Sequence, residues 1–264
     1  MSLSAEMRRI SSQYGFAQRK ALSQSFLIDE RVLAREAKAA GPEGKLVLEV
    51  GPGFGFLTRR LAEAGARKVV AVEKDRRLIP ILEEELSDLA NVEIVHADFL
   101  EKGFEAEVVA SNVPYAISSP FLFKLAGMNF GRAVLCLQKE FAERMLAKPG
   151  EREYSRLSLS SQAAFGIEFL GRVPKSAFSP QPKVDSAIVR LAPTGGGLGE
   201  KAAKLALLLF QHRKKTVRAA LVDSAEALGI SKGEARALAE SSGIAGRRVF
   251  SLSRADVDRL ASLF

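Results

Sequence analysis

Short apolar runs alternate with amphipathic stretches along most of the chain, and this pattern predicts strands alternating with helices. The predicted strands span residues 45–50, 68–73, 92–96, 107–111, 132–138, 165–170 and 186–191. Helices are predicted over residues 30–40, 75–87, 120–126, 139–147 and 153–164, and from the glycines after residue 50 to about residue 64. Short connections between such elements predict an α/β fold with a mainly parallel sheet.

The pattern changes at both ends of the chain. Residues 1–20 are polar and basic, which predicts a mobile or loosely helical arm. Residues 194–199 read T-G-G-G-L-G and predict a flexible linker. Helices follow at residues 201–222 and 232–240, and a last helix begins near Ser253. The predicted domains are therefore the arm (1–28), the α/β domain (29–193), the linker (194–199) and a small all-helical domain (200–264).

Composition narrows the class of protein. The chain of 264 residues is 47% hydrophobic and 27% charged, which is typical of a soluble globular protein. Cys136 is the single cysteine and lies in an apolar run, so we expect a buried thiol in a reducing compartment. Two histidines and one cysteine are too few for a built-in zinc site, so no metal is expected. Because the sequence has neither a membrane-spanning apolar run nor a signal peptide, it predicts a cytoplasmic protein with no membrane partner.

The net charge of +8 is concentrated at the two ends. Residues 1–28 carry +3 and residues 201–264 carry +6, which leaves −1 for the middle of the chain. A near-neutral body with basic ends favours a polyanionic partner over a merely solvated surface.

Four polar or glycine-rich signals follow four of the predicted strands. Gly51-Pro52-Gly53-Phe54-Gly55 follows the first strand, Glu73 ends the second, Asp98 follows the third, and Asn112-Val113-Pro114-Tyr115 follows the fourth. The carboxyl ends of parallel strands meet at one edge of a sheet, where α/β proteins bind ligands. The sequence therefore predicts one binding site that contains all four signals.

The glycine loop and the acid after it are suited to a nucleoside cofactor. Glycine allows close approach of the backbone to a ligand, and Glu73 is placed to accept hydrogen bonds from both ribose hydroxyls. Asp98 is placed to accept from an adenine amino group, with Phe99 against the ring. The third glycine comes one residue earlier than in the dinucleotide fingerprint, which favours S-adenosylmethionine over NAD but leaves both open. Each residue also has a plain structural interpretation, as a tight turn, a surface acid or a helix cap.

The ordered motifs resemble the rRNA adenine N6,N6-dimethyltransferases of the KsgA type. The resemblance rests on E-V-G-P-G at 49–53, Glu73, Asp98, N-V-P-Y at 112–115, F-S-P-Q-P-K-V-D-S at 178–186 and Gln24-Ser25-Phe26-Leu27, and it covers nearly the whole chain. The family usually has Asn or His where Ser25 stands, and N-L-P-Y in place of N-V-P-Y.

This resemblance implies a Rossmann-like, seven-stranded, S-adenosylmethionine-dependent methyltransferase with a small C-terminal helical domain. It implies dimethylation of N6 on two adjacent adenosines in the 3′-terminal hairpin of small-subunit rRNA, with rRNA or an assembling 30S-type particle as the partner. Nothing in the sequence demands more than a monomer, so a monomer is expected. The residues expected at the cofactor are Gln24, Ser25, Leu27, Gly51, Gly53, Glu73, Asp98, Phe99 and Asn112.

The same resemblance assigns the base-binding residues. Asn112 and the Pro114 carbonyl are expected to accept the two N6 hydrogens of adenine, which directs the nitrogen lone pair at the methyl group. Tyr115 is expected to stack on one face of a splayed-out base, and Phe178 on the other. Core packing is the structural alternative for both rings.

Basic residues near the two ends are candidates for RNA contact. The basic segment, residues 211–218, reads Q-H-R-K-K-T-V-R and is predicted to place Arg213, Lys214, Lys215 and Arg218 on a helix. Arg19 and Lys20 are expected to make similar phosphate contacts from the arm.

Three other functions fit parts of the pattern. The first is an adenine methyltransferase that acts on large-subunit rRNA or DNA. The second is a ribosome-assembly factor whose main role is RNA binding, and the third is an NAD-dependent oxidoreductase.

Overall fold

A computed structural model describes residues 2–17 and 24–264 of the chain. It divides into an α/β unit, made of Met1–Ala142 and Ile167–Pro193, and a helical unit, made of Glu143–Gly166 and Thr194–Phe264. Arg19 and Lys20, two of the predicted RNA-binding residues, lie outside the described residues.

The strands of the described residues form two sheets. Their bounds are β1 (Phe26–Leu27), β2 (Leu46–Val50), β3 (Lys68–Glu73), β4 (Val92–His96), β5 (Val108–Asn112), β6 (Arg132–Gln138), β7 (Phe165–Val173), β8 (Phe178–Ser179) and β9 (Ser186–Pro193). The larger sheet has the order β4-β3-β2-β5-β6-β9-β7. Strands β2 to β6 pair in parallel, and β9 pairs antiparallel with β6.

The helices described are α1 (Leu3–Gln13), α2 (Glu30–Ala40), α3 (Phe56–Glu63), α4 (Ile79–Glu85), α5 (Ser118–Ala126), α6 (Lys139–Leu146), α7 (Arg156–Ala164), α8 (Glu200–Leu209), α9 (Val217–Asp223), α10 (Ala225–Leu228), α11 (Lys232–Ser241) and α12 (Arg254–Ser262). None of the helices in residues 2–17 and 24–264 is both long and apolar enough to cross a membrane.

Burial on both faces explains why the central strands are almost continuously apolar. The side chains of Val47, Leu48, Val69 and Val109 are all inaccessible to solvent. Parallel strands with helices on both faces of the sheet have this composition. The α/β class and the mainly parallel, seven-stranded sheet are therefore confirmed.

Local signals set the ends of α2 as predicted. The Asp29 carboxylate accepts hydrogen bonds from the backbone N–H groups of Arg31 (2.9 Å) and Val32 (3.2 Å), which caps the first turn. Gly41 ends the helix in the left-handed region, at φ +56°. This helix packs against β5 and β6 and brings Glu36 beneath the edge of the sheet that carries Asn112.

The first part of the arm is more ordered than its composition predicts. Residues 3–13 form α1, whose Leu3, Met7 and Ile10 are buried in the α/β unit. Arg9 also forms an ion pair with Glu85 of α4, at 2.5 Å. The polar face of α1 dominated the composition of this segment, while three apolar residues at helical spacing were enough to dock it.

The small sheet joins two distant segments of the chain. Strands β1 and β8 are antiparallel, with Phe26 opposite Ser179 and Leu27 opposite Phe178. Two-residue strands are too short to give a periodic signal in the sequence. The pairing places the Gln24–Leu27 motif beside the F-S-P motif that begins at Phe178.

The helical unit has its own core, to which Tyr154 and Leu159 contribute together with the helices after residue 199. Residues 143–166 therefore belong to this unit, although the sequence pattern places them in the α/β domain. The predicted helix over 201–222 is interrupted, because residues 210–216 form a 3₁₀ turn and a loop before α9. The Thr216 side chain caps α9, and Val217 N–H donates to the Arg247 carbonyl at 2.8 Å.

Candidate active site

A cavity of about 310 Å³ lies in the α/β unit at the carboxyl ends of β2, β3, β4 and β5. All four sequence signals line it, together with Gln24, Ser25, Leu27 and Phe178. Every residue predicted at the cofactor or at the base is therefore at this one cavity. The sheet brings the signals together because the loops after parallel strands leave the sheet on the same edge.

The glycine loop after β2 has a conformation that requires glycine. Gly51 and Gly53 have φ values of +70° and +61°. A Cβ atom at Gly53 would lie 2.7 Å from the Phe26 ring, closer than two carbons can approach. The loop therefore offers the cavity bare backbone, and Phe26 of β1 packs where a side chain would stand.

Glu73, at the end of β3, is only 8% exposed. Its carboxylate accepts a hydrogen bond from Asp75 N–H at 2.8 Å, and the backbone N–H groups of Gly53 and Lys74 interact with it as well. Burial raises the pKa of Glu73 above its ordinary value, and the backbone donors oppose this rise. The carboxylate is thus held rigidly between the β2 and β3 loops.

Asp98 is fixed from two sides. It forms an ion pair with Lys74 at 2.5 Å, and its Oδ1 accepts from Leu100 N–H at 2.8 Å. The Lys74 ammonium holds the pKa of Asp98 below its ordinary value. Asp98 therefore caps a turn, not the helix that the structural alternative supposed, and it also lines the cavity. Phe99 beside it is buried, with the Lys124 ammonium 4.8 Å from its ring centroid.

The Gln24–Leu27 motif is anchored by bonds within the α/β unit. Gln24 Nε2 donates a hydrogen bond to the Asp75 carboxylate at 2.8 Å. The pKa of Asp75 is lowered to about 2, mainly by the hydrogen bond that it accepts from Arg77. The Ser25 hydroxyl donates to the Pro180 carbonyl at 2.5 Å. Because that bond uses the hydroxyl hydrogen, Ser25 faces the cavity as an acceptor only.

Asn112 lines the cavity, and its side chain carries a buried, unsatisfied atom. Its Oδ1 is buried and has no hydrogen-bond partner among the described residues. The Pro114 carbonyl accepts from Ile117 N–H at 3.0 Å and retains a second lone pair. A buried acceptor without a partner is costly, so it marks a place where a ligand donor is expected.

Tyr115 and Phe178 both line the cavity. The Tyr115 hydroxyl shares a hydrogen bond of 2.5 Å with the Ser186 hydroxyl of β9. Burial raises the pKa of Tyr115 to about 12, so the phenol is neutral. Phe178 is only 4% exposed, and its position is set by the pairing of β8 with β1.

Two acids beneath the cavity were not predicted from the sequence. Glu36 of α2 and Glu49 of β2 are both buried, and burial raises the pKa of each to about 8. For both acids the sequence shows an acidic residue within an apolar pattern. Glu36 stands among Leu33, Ala37 and Ala40 on the apolar face of α2, and Glu49 interrupts an apolar strand.

Three of the four cations predicted in the basic segment have partners inside the helical unit. The Arg213 guanidinium donates to the carbonyls of Arg152 (2.5 Å) and Tyr154 (2.9 Å). Lys215 forms an ion pair with Asp223 at 2.6 Å, and Arg218 forms one with Glu240.

Lys214, Lys215 and Arg218 are all exposed, and Lys214 differs from the other two in that its side chain forms no ion pair within the described part of the chain. The four cations lie on the loop and the start of α9 rather than on one helix, because the helix breaks at residues 210–216.

The sequence matches known methyltransferases along nearly all its length. Residues 15–240 match the family model "Ribosomal RNA adenine dimethylase". The chain is 44% identical to a probable ribosomal RNA small subunit methyltransferase A from Thermococcus onnurineus, over 94% of this chain and 93% of that protein. A relative of the same description from Pyrococcus abyssi has the same identity and coverage.

Solved structures agree with the sequence matches. A dimethyladenosine transferase from Plasmodium falciparum superposes with a TM-score of 0.78 at 30% identity, over 88% of this chain and 94% of that one. The 23S rRNA methyltransferase ErmE superposes with a TM-score of 0.67 at 31% identity, over 90% and 98%. Together with the cavity at the carboxyl edge of a seven-stranded sheet, these matches show that the chain belongs to the ribosomal RNA adenine dimethylase family.

Proposed function

We propose that this protein transfers two methyl groups to N6 of each of two adjacent adenosines in the 3′-terminal hairpin of small-subunit rRNA. S-adenosylmethionine-dependent dimethylation of rRNA adenine is the activity of its family. The observation that carries the proposal at the site is that Asn112, Pro114, Tyr115 and Phe178 line the same cavity as the glycine loop, Glu73 and Asp98.

The choice of the small subunit rests on the nearer relatives. The proteins at 44% identity are described as small-subunit rRNA methyltransferases, whereas ErmE, described as a 23S rRNA methyltransferase, is 31% identical. Large-subunit rRNA is the second candidate substrate, because ErmE matches nearly the whole chain. A single folded copy contains the whole cavity, which supports action as a monomer.

The cavity suits S-adenosylmethionine. Gly51 and Gly53 present backbone at the cavity in conformations that favour glycine, and we assign Glu73 to the ribose hydroxyls. Asp98 and Phe99 are assigned to the adenine amino group and ring. Gln24, Ser25 and Leu27 are assigned to the remaining wall of the cofactor site. When bound, S-adenosylmethionine supplies a methyl group on a positively charged sulfur.

Asn112 and Pro114 orient the nucleophile in this proposal. The N6 lone pair of adenine is delocalised into the ring, so the amino group is a poor nucleophile. Asn112 Oδ1 and the second lone pair of the Pro114 carbonyl accept the two N6 hydrogens and favour a tetrahedral nitrogen. Orientation and electrostatics then supply the rate enhancement without a strong base. The methylated nitrogen is acidic and loses its proton to water.

Tyr115 and Phe178 hold the base. A base in an RNA hairpin must leave its stack before its N6 can be reached, and two aromatic faces stabilise the extruded state. The neutral Tyr115 ring, tied to Ser186, suits stacking rather than proton transfer. A second methylation leaves one N–H on N6, so one of the two acceptors must then face a methyl group.

We assign the contacts with the RNA phosphate backbone to basic residues outside the cavity. Lys214 is the leading candidate in the helical unit because it is exposed and has no ion pair among the described residues, and Arg213, Lys215 and Arg218 would contribute charge while keeping their internal partners. Arg19 and Lys20 remain candidates from the arm. The substrate is rRNA or an assembling 30S-type particle, which implies a cytoplasmic site of action.

The decisive experiment uses small subunits, large-subunit rRNA and DNA from a strain that lacks this methylation. Each is incubated with the protein and labelled S-adenosylmethionine, and the nucleosides are identified by mass spectrometry. We expect N6,N6-dimethyladenosine at two adjacent positions in small-subunit rRNA only. Label in large-subunit rRNA alone would replace the proposal with the second candidate, and label in DNA alone would exclude both.

A further inference from the structure

One short loop joins the supports of the two aromatic rings at the cavity. Phe178 begins β8, and β9 begins at Ser186, whose hydroxyl shares a hydrogen bond of 2.5 Å with the Tyr115 hydroxyl. Residues 180–185, called the Pro180 loop below, run between these two strands. The position of this loop therefore bears on how the two rings are placed relative to each other.

The two ends of the Pro180 loop are held in different ways. At the carboxyl end, the Asp185 carboxylate accepts hydrogen bonds from Arg172 Nε and from Lys175 N–H, both at 2.9 Å. The Asp185 carbonyl also accepts from Lys139 N–H at 3.0 Å. At the amino end, the loop follows β8, which has only two residues. So short a strand forms few backbone hydrogen bonds, and any additional bond there has a large share in fixing it.

A side-chain hydrogen bond extends the pairing of β1 with β8. In this antiparallel pairing, Phe26 lies opposite Ser179. The same register continues with Ser25 opposite Pro180. The Ser25 hydroxyl donates to the Pro180 carbonyl at 2.5 Å. This bond lengthens the pairing by one position and holds the first residue of the Pro180 loop against the segment that carries the Gln24–Leu27 motif.

That segment is itself fixed to the loops of the cofactor site. The Phe26 ring packs against the Phe54 ring of the glycine loop, with 4.4 Å between the ring centroids. Gln24 Nε2 donates to the Asp75 carboxylate at 2.8 Å, and Asp75 N–H donates to Glu73 at 2.8 Å. The residue between Gln24 and Phe26 is thus held on both sides, so its hydroxyl is a preorganised donor.

We propose that Ser25 is a positioning residue for the adenine base: its hydroxyl holds the Pro180 carbonyl and thereby fixes Phe178 relative to Tyr115. This inference rests on the proposed function, because it needs a base that stacks on the two rings. It gives Ser25 a role on the base side of the cavity in addition to its place in the wall of the cofactor site.

The second methyl transfer depends on this bond more than the first. Adenine offers two N6 hydrogens to the acceptors on Asn112 and Pro114, whereas N6-methyladenine offers only one. Stacking on Phe178 and Tyr115 then contributes a larger share of the orientation on which the rate depends. A less firmly held Phe178 therefore slows the second transfer more than the first, and the monomethylated product accumulates.

The test compares Ser25→Ala with the unaltered full chain on small subunits that lack the methylation. We expect kcat at saturating S-adenosylmethionine to fall about tenfold, an effect of the size expected for the loss of one hydrogen bond. Mass spectrometry at equal total methylation should show a higher ratio of N6-methyladenosine to N6,N6-dimethyladenosine. The Kd of S-adenosylmethionine, measured by calorimetry, should change by less than about threefold, because the glycine loop, Glu73 and Asp98 are retained.

Two further variants separate positioning from a general effect of the substitution. Ser25→Thr keeps a hydroxyl at this position, so it should retain most of kcat and the original product ratio. Ser87→Ala is the matched control, because the Ser87 hydroxyl also donates to a backbone carbonyl, that of Glu84 at 2.8 Å, and Ser87 does not line the cavity. It should leave both measurements unchanged.

The outcomes distinguish this inference from the proposed function. An unchanged kcat and product ratio in Ser25→Ala would overturn the positioning role. Weaker binding of S-adenosylmethionine with kcat retained at saturation would overturn it too, because Ser25 would then act on the cofactor alone. Equal losses in Ser25→Thr or in Ser87→Ala would count against it in the same way. Absence of any methyl transfer to rRNA by the unaltered protein would instead reject the proposed function, on which the inference depends.

Discussion

Polar side chains near the cavity of the α/β unit and those in the basic segment of the helical unit differ in how far they have hydrogen-bond or ion-pair partners. At the cavity, Asn112 Oδ1 and the Glu36 carboxyl are buried without good hydrogen bonds from the described residues. In the basic segment, one terminal nitrogen of Arg213 donates to two carbonyls and Lys215 pairs with an acid of the same unit, while the buried Arg213 Nε has no partner among the described residues. The α/β unit thus has buried polar atoms without hydrogen-bond partners near the cavity, whereas most cations of the basic segment are already bound to groups of the helical unit.

This difference bears on how well charged and polar residues in the sequence indicate a ligand-binding site. A run of cations in a sequence resembles an RNA site, yet most of these side chains help to hold the helical unit together. A single amide after a strand is an ordinary turn residue, yet the oxygen of Asn112 is buried without a partner among the described residues, which is unusual for a structural residue. Unsatisfied groups are thus better guides to a ligand here than the density of charge.

The strongest test of this contrast is Asn112→Ala. If the unpaired oxygen orients N6, its loss should lower kcat by about 10²-fold or more, comparable to the removal of one preorganised hydrogen-bonding group in other enzymes. Single-turnover methyl transfer measures this effect, and calorimetry with S-adenosylmethionine checks that the cofactor site persists. A variant that transfers methyl groups at the original rate would refute the role of Asn112.

The second test uses the pH dependence of stability. Glu36 and Glu49 have ordinary pKa values of 4.5 and folded-state values of about 8. Between these values the unfolded chain has released protons that the folded chain retains, so stability should decrease as pH rises from about 5 to 8. Two buried acids should cost on the order of a few kcal/mol in the free energy of unfolding.

Urea denaturation at a series of pH values measures this decrease. Glu36→Leu should remove much of it, because an apolar side chain has no proton to release. A decrease of equal size in Glu36→Leu would show that other groups cause the pH dependence.

The third test compares neighbours in the basic segment. Arg213→Ala should lower the stability of the helical unit by about 1–2 kcal/mol, because two backbone carbonyls lose their donor. Lys214→Ala should change stability by less than about 0.5 kcal/mol. It should weaken RNA binding at low salt and reduce the salt dependence of the binding constant by about one ion.

Denaturation curves and binding titrations at several salt concentrations measure both effects. If Arg213→Ala leaves stability unchanged and weakens only RNA binding, then Arg213 serves RNA binding and not the stability of the helical unit. The contrast between the cavity and the basic segment would then be wrong.

The smallest effect is expected for Tyr115→Phe. The change removes the hydroxyl that bonds Ser186 but keeps the ring, so stability should fall by about 1 kcal/mol and kcat by less than about fivefold. Tyr115→Leu, which removes the aromatic face, should lower kcat much more. Equal losses in the two variants would indicate that the hydroxyl, rather than stacking, is what matters.

Much of the fold was predictable because its signals are local. The strand over 68–73 and the helix over 30–40 have the predicted bounds, since apolar periodicity, the Asp29 cap and Gly41 all lie within a few residues of each element. The family prediction, the α/β class and S-adenosylmethionine as methyl donor are confirmed. The roles of the individual site residues stay predictions.

The errors have a common origin in contacts between distant segments. The predicted helix over 201–222 breaks because the loop before α9 pairs with residues 248–250. The loose arm becomes a docked α1 because Met7 and Ile10 find a core to enter. Apolar periodicity shows which face of a segment can be buried, but it does not identify the part of the protein against which that face packs.

By itself the sequence determined the order of strands and helices, the glycine loop and the motif at Asn112, because each depends on neighbouring residues. The tertiary structure alone decided that Phe178 pairs with Leu27, that Phe26 fills the space beside Gly53, and that the Glu36 carboxyl is buried. These contacts join residues far apart in the chain, and only the packing of α2, β1 and β8 against the sheet brings them together.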